Sequence, residues 1–337
     1  MREAKKPMVR VSSNDVARLA GVSRSTVSRV FTEGGYASPA IRDQVMSAAR
    51  LLGYSPNAIA RSLITRRSDL VGVIVGELEN PFHAGVLQFI AEALQRNGRT
   101  SLLFVAPPEE IDSLIPQVLA YQVDAVILTG ATLSTRMAIR CQDAGIPVAL
   151  VNRYIDSDVV TSVVGDNVDG AAQVGRHLAE QGFRRIAFMA GLATSSSTRD
   201  REHGLLVALN ERGLKVHSRD VGHYQAAGGT AAAVRLLDRA DRPDAIFCAN
   251  DVMAAATVDV ARSRFGLRVP GDLAVAGYDN SPIAGMAAYQ LTSVEQNMKA
   301  MAETAVELLR GGKGKLLPAQ VLKIPAQLCL RTSTLRG

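Results

Sequence analysis

From Leu70 onward, short apolar runs alternate with Ala-rich stretches, and this rhythm constrains the fold more than any other feature of the chain. "LVGVIVG", "TSLLFVA", "AVILTG", "PVALVN", "RIAFMAG", "AIFCAN" and "LAVAGYD" read as buried parallel strands. The stretches between them run mostly about 10–15 residues, the length of crossover helices in βαβ units. These strands are too many for one sheet, and "VVGDNVDGAAQVGRHLAEQG" restarts the cycle near residue 166. Two doubly wound parallel-sheet subdomains are therefore expected. A ligand belongs in the cleft at the carboxyl ends of the strands.

The first 67 residues do not share this rhythm. They hold twelve Lys/Arg against four Asp/Glu, a net of +8, whereas the whole 337-residue chain carries +6, leaving −2 for the remainder. A small basic segment on a near-neutral body points to a polyanion-binding head. The composition, 47% hydrophobic and 4% aromatic without Trp, suits a soluble α/β protein. No apolar run approaches the roughly 18 residues of a membrane span. The basic "MREAKKPMVR" is not followed by an apolar segment, so no secretory signal is expected. Cys141, Cys248 and Cys329 are odd in number and widely spaced, which fits neither a disulfide framework nor a metal site and points to a reducing cytoplasm.

Within the head, Ser12 followed by Asp15 resembles a capping box, with Val16, Leu19 and Ala20 as the buried stripe and Gly21 as a left-handed stop. Ser23 caps a second helix after a turn of about three residues, the helix-turn-helix spacing. At 100° per residue, Arg24, Ser25, Ser28 and Arg29 share one arc, and Val27, Val30 and Phe31 the opposite one. The apolar arc packs inward, and the polar arc presents donors of the kind that meet base edges and phosphates. A third helix has Ser38 as cap, Pro39 in the first turn, Ile41, Val45, Ala49 and Leu52 inward, and Gly53 at its end. The competing reading is a generic three-helix bundle with a solvated Arg/Ser face; the short turn and the charge imbalance weigh against it. Next, "YSPNAIARSLITRR" offers about ten helix-capable residues carrying Leu63. So short a helix is marginal in water and would order only against DNA and a partner copy.

"SSNDVARLAGVSRSTVSRVF", then "YSPNAIARSL" and a Leu/Val/Gly-rich strand, resembles the lactose-repressor (LacI/GalR) family of bacterial transcription regulators, over about Val11 to Arg331. The resemblance implies an all-α helix-turn-helix head plus an α/β periplasmic-binding-protein-like core of two doubly wound parallel-sheet subdomains. It places the head at 1–55, a hinge helix at 56–68 and the core at 69–337. Within the core, one subdomain takes about 69–164 and 296–324, the other about 165–295 and 325–337. It further implies a homodimer on palindromic double-stranded operator DNA, with Arg24, Ser25 and Arg29 reading bases. Ser12, Ser23, Thr26, Ser28, Thr32, Tyr36 and Ser38 match phosphate-contacting positions. Asn57 and Leu63 match the hinge helix, whose paired leucines wedge into the minor groove and kink the duplex.

For the effector cleft the resemblance implies Phe82 as an apolar wall with His83 beside it, Asn152, Ser197, Arg201, Tyr224, Asn250, Asp279 and Gln296. Arg201 can bind two ring oxygens or a carboxylate bidentately; a surface salt bridge is its rival reading. "Asn80-Pro81" also serves as a plain turn, and "Asp-Asn-Ser-Pro" at 279–282 is equally good turn chemistry. Asn152 stands where sugar-binding members often carry Asp, which weakens a strict hexose assignment. Ser195 stands where the purine-binding member has an arginine, which argues against a nucleobase. A carbohydrate or a small polar sugar derivative is the expected effector.

No cofactor or metal is implied: the five histidines lack ligand spacing, "RGGKGK" lacks the phosphate-loop pattern, and no Gly-x-Ser-x-Gly elbow occurs. A ligand-controlled DNA-binding regulator, most often a repressor, is therefore expected, working in the cytoplasm on the nucleoid. A solute-binding module lacks a use for the +8 head. An α/β enzyme would need a nucleophile or a paired acid and base. The end "CLRTSTLRG" carries no leucine heptads of the tetrameric members, so a dimer is expected.

Overall fold

The computed structural model describes residues 11–32, 34–55, 67–76, 78–107, 110–130, 134–315 and 317–336; the hinge positions Asn57 and Leu63 lie outside them. The chain divides into two compact units, Met1–Ser68 and Asp69–Gly337.

The first unit contains α1 (Ser13–Leu19), α2 (Arg24–Val30) and α3 (Pro39–Leu52). The Asp15 carboxylate accepts from the Ser12 amide at 3.0 Å and from its hydroxyl at 2.7 Å, which anchors the start of α1. Ser23 and Ser38 cap α2 and α3, accepting from Thr26 N at 3.1 Å and Ile41 N at 3.4 Å. Gly53 ends α3 in the left-handed conformation (φ 62°), where a Cβ would be strained. The core is Val16, Ala17, Ala20, Val27, Val30, Val45, Ala48 and Ala49. Leu19, expected inside, is instead 52% exposed. Its place is taken by Ala17: residues 16, 20 and 17 share one arc of α1, and position 19 projects well away from its centre.

In the second unit, β1 (Leu70–Val75), β2 (Thr100–Val105), β3 (Ala125–Thr129), β4 (Val148–Val151), β5 (Thr161–Gly165) and β11 (Gln320–Ile324) form a parallel sheet in the order β11-β5-β4-β3-β1-β2. Helices α4 (Pro81–Arg96), α5 (Ile111–Ala120), α6 (Thr135–Asp143) and α11 (Met298–Leu308) accompany it. One face is closed by Phe82, Val86, Ile90 and Leu94 of α4 with Met301, Ala305 and Val306 of α11. The other is closed by Ile111, Ile115 and Val118 of α5 with Met137, Ala138 and Cys141 of α6. "TSLLFVA", expected to be buried, is instead the edge strand β2, with Leu102 and Phe104 packed on the face covered by α5 and α6 and Leu103 and Val105 exposed on the other.

A second parallel sheet has the order β7-β6-β8-β9, from β6 (Ile186–Ala190), β7 (Ser218–Val221), β8 (Ala245–Cys248) and β9 (Ala274–Ala276). It carries α7 (Asn167–Glu180), α8 (Ser196–Asn210), α9 (Ala226–Leu237) and α10 (Asp251–Phe265). β10 (Ser293–Glu295) pairs antiparallel with β12 (Gln327–Cys329). The chain therefore passes between lobes three times: from β5 into α7, from β10 into α11, and from β11 into β12. Beyond β12, a turn at Thr332–Thr334 is sewn to the second lobe. There the buried Ser333 hydroxyl donates to Val275 O (2.7 Å) and accepts from Thr292 N (2.8 Å). Among the described residues, no helix is long and apolar enough to cross a membrane.

Candidate functional site

The head presents one chemically distinct surface. Arg24, Ser25, Ser28 and Arg29 project from α2 into solvent, while Val27 and Val30 on its other side are buried. The Ser23 hydroxyl lies 2.8 Å from that of Ser25 and 2.9 Å from that of Thr26, and Arg29 Nη2 donates to Thr26 Oγ1 at 3.4 Å. The hydroxyls thus steady the guanidinium that stands above them. Ser12, Thr32 and the 86%-exposed Tyr36 are open to solvent, whereas Thr26 and Ser38 are half-buried. The Thr32 hydroxyl donates to Ser28 O at 2.8 Å. Arg42, which the sequence did not single out, donates to Val30 O (3.0 Å) and Gly35 O (3.1 Å) and fixes the loop carrying Tyr36.

In the core, the carboxyl ends of strands from both lobes converge on a small cavity lined by Asn80, Phe82, His83, Asn152, Arg153, Ser197, Arg201, Tyr224 and Asp279. Its volume is about 10 Å³, room for about one water. Asn80 caps α4 by accepting from Phe82 N at 3.0 Å, which puts Phe82 and His83 in the first turn. Their rings meet edge-on, 5.4 Å apart. Tyr224, held at φ 63°, lies against Gly191, where any Cβ would run into the ring. Its hydroxyl is 2.7 Å from that of Thr198.

Arg201 is firmly anchored in the cleft. It is 2% exposed, so it is no surface salt bridge. Its Nε donates to Asn167 Oδ1 at 2.8 Å, Nη1 donates to Ala249 O, and its Cζ lies 3.7 Å from the Tyr278 ring centroid. Asp279 stands 3.6 Å from Arg201 Nη1 and accepts from Gln296 Nε2 at 2.6 Å. Burial pushes the Asp279 carboxyl well above its usual range, against the opposing pull of Arg201. Burial also pushes the His83 imidazole down, to about 3, with Arg153 and Arg201 acting in the same direction. At neutral pH His83 is therefore an uncharged ring with one donor and one acceptor nitrogen.

Asn250 and Gln296 are fully buried and stand behind the cavity wall. Asn250 caps α10 through Met253 N (3.0 Å) and donates to Tyr224 O (3.1 Å); Gln296 holds Asp279. Arg153, Asn167 and Thr198 were not singled out in the sequence. A charge directly after the strand in "LVNRY" was a legible signal for the first; the other two look like ordinary helix residues. Among the described residues, no group of three His, Cys, Asp or Glu could hold a metal.

A helix-turn-helix head and a two-lobed cleft of periplasmic-binding type on one chain define a ligand-responsive, DNA-binding regulator. The model for bacterial regulatory proteins of the lacI family matches residues 14–57, and that for a periplasmic binding protein-like domain matches 176–334. The transcriptional regulator CelR of Thermobifida fusca is 36% identical over 304 residues, covering 87% of this chain and 89% of CelR. DegA of Bacillus subtilis is 32% identical, covering 95% and 97%. Among solved structures, the lac repressor dimer bound to operator and the anti-inducer ONPF superposes with a TM-score of 0.85 at 26% identity, covering 97% of this chain and 100% of that one. A CelR–cellobiose complex does so at 0.72 and 33%, covering 96% and 100%. The chain belongs to the lacI family of bacterial regulatory proteins.

Proposed function

We propose that this protein is a dimeric repressor that binds a palindromic operator through α2 and is controlled by a sugar or sugar-derived effector in the cleft of its core. Arg24, Ser25 and Arg29 read base edges. Ser12, Ser23, Thr26, Ser28, Thr32, Tyr36 and Ser38 contact or support contacts to phosphate. Asn57 and Leu63 belong to the hinge at the minor groove. Two heads related by a two-fold axis read two half-sites. The protein works in the cytoplasm, on the nucleoid, without a catalytic step.

One observation carries the effector reading. Arg201, Asp279, Asn152 and Ser197, together with the neutral His83, line one cavity with the rings of Phe82 and Tyr224. A planar guanidinium and a planar carboxyl group satisfy hydroxyl pairs and rings cover apolar sugar faces, a combination built for polyhydroxylated ligands. The CelR–cellobiose complex supports this class. Asn250 and Gln296 act from behind the wall by setting Tyr224 and Asp279. Effector binding acts on DNA affinity through a difference in affinity for two core states, as linkage requires.

A thermal-shift screen against neutral sugars, sugar acids and sugar phosphates, followed by an operator-release assay with the hits, tests this reading. A stabilising sugar that changes operator affinity in wild type and loses its effect in Arg201→Ala is the expected result. Stabilisation by none of the panel would overturn the effector class. Unchanged operator affinity of Leu63→Ser would overturn the hinge assignment.

A further inference from the structure

The segment after β4, in the first lobe, reaches across the cleft to the first turns of α8 in the second. Tyr154 N donates to Ser196 Oγ at 3.0 Å, and the Tyr154 hydroxyl donates to Asp200 Oδ1 at 2.9 Å. The Ser197 hydroxyl donates to Asn152 O at 3.3 Å, and the Arg199 guanidinium stands 6.0 Å from the Tyr154 ring centroid. Neither Tyr154 nor Asp200 lines the cavity. They stand beside it, half-buried, on opposite lobes.

We propose that Tyr154 and Asp200 form a latch that holds the lobes shut, and that its release sets the threshold for effector entry. This rests on the reading of the cleft as the effector site. The cavity accommodates about one water. A sugar needs a site on the order of a few hundred Å³, so the lobes must separate for one to enter. Separation extracts Asp200 from Tyr154 and Ser196 from the Tyr154 amide. Effector affinity is then reduced by the fraction of molecules that are latched. Residues 154 and 200 would tune sensitivity without touching the ligand, leaving selectivity to the cavity wall.

The test needs neither sugar nor DNA, so its failure is distinct from failure of the effector reading. Spin labels at Gln88→Cys on α4 and Thr230→Cys on α9, both exposed positions, report the separation of the lobes. The full-length chain carries Cys329→Ser as well, Cys141 and Cys248 being buried. The labelled chain is mixed with an excess of unlabelled chain, so that labels sit on one protomer of a dimer, and the expected result is one dominant distance in wild type. In Tyr154→Phe the longer-distance population rises about two- to tenfold, the range for losing one hydrogen bond. Asp200→Asn, which keeps an acceptor oxygen, gives a smaller rise. Tyr121→Phe, on the first lobe and away from the cleft segment, gives none. If Tyr154→Phe fails to fold, Asp200→Ala carries the same criterion. A distribution in the latch variant that superposes on that of wild type would overturn the proposal.

Discussion

At the scale of single residues, the sites divide by whether water is present. Arg24 and Arg29 are exposed to solvent. Replacing either arginine proposed to read bases by alanine should cost about 1–3 kcal/mol at one operator position and relax the preference there. Loss of a phosphate contact should weaken all sequences alike. Anisotropy titrations of Arg24→Ala and Arg29→Ala on operators selected in vitro separate these outcomes; uniform weakening would reassign both residues to the backbone. His83 is the opposite case. Its imidazole is held at about 3, below the unfolded value near 6.5, so the folded state takes up fewer protons. Its stabilisation is present above pH 6.5 and is lost as pH falls toward 3. Between pH 7.5 and 5 this amounts to about 2 kcal/mol. Thermal melts of His83→Asn should show a correspondingly smaller loss over that interval, and equal losses in both proteins would refute the assignment. At Gly191, substitution by Ala should push Tyr224 from its place and reduce effector response while leaving operator affinity intact.

Elements were legible in proportion to their apolar content. β1, β3, β6 and β8 are continuous hydrophobic runs, and their burial follows from that. β7, with the sequence SRDV, was missed because it is a polar edge strand: Asp220 turns to Arg235 at 2.7 Å instead of into a core. β2 misled in the other direction, since its sequence is apolar and its position at the sheet edge is a property of order alone. The helix caps were readable because Ser12, Ser23 and Ser38 have a local task. Cleft partners such as Arg201 with Asn167, or Asp279 with Gln296, are remote in sequence, and no local pattern encodes them. The terminal turn belongs to this second kind. Ser333→Ala strands the Thr292 amide in a buried site and should cost about 1–3 kcal/mol, visible as a lowered melting midpoint. An unchanged midpoint would show the turn to be dispensable.

For the whole molecule, the charge division has a direct consequence. Operator affinity should fall steeply with salt, by orders of magnitude between about 50 and 200 mM, because binding releases counterions from several phosphates. Effector affinity for the core, formed by a near-neutral body and a buried site, should change little over the same range. Parallel titrations at several salt concentrations check both, and a flat DNA response would remove the polyanion assignment of the head.

The sheet order also bears on synthesis. The edge of β5 is covered by β11, from residues 320–324, although β5 itself ends at Gly165. The first lobe, begun near residue 70, stays unfinished on the ribosome until almost the whole second lobe has been made, with a strand edge exposed meanwhile. The head is complete by about residue 53. The part that reads DNA is thus finished well before the part that senses the effector. A chain interrupted between them would carry a DNA-binding surface with no means of answering an effector.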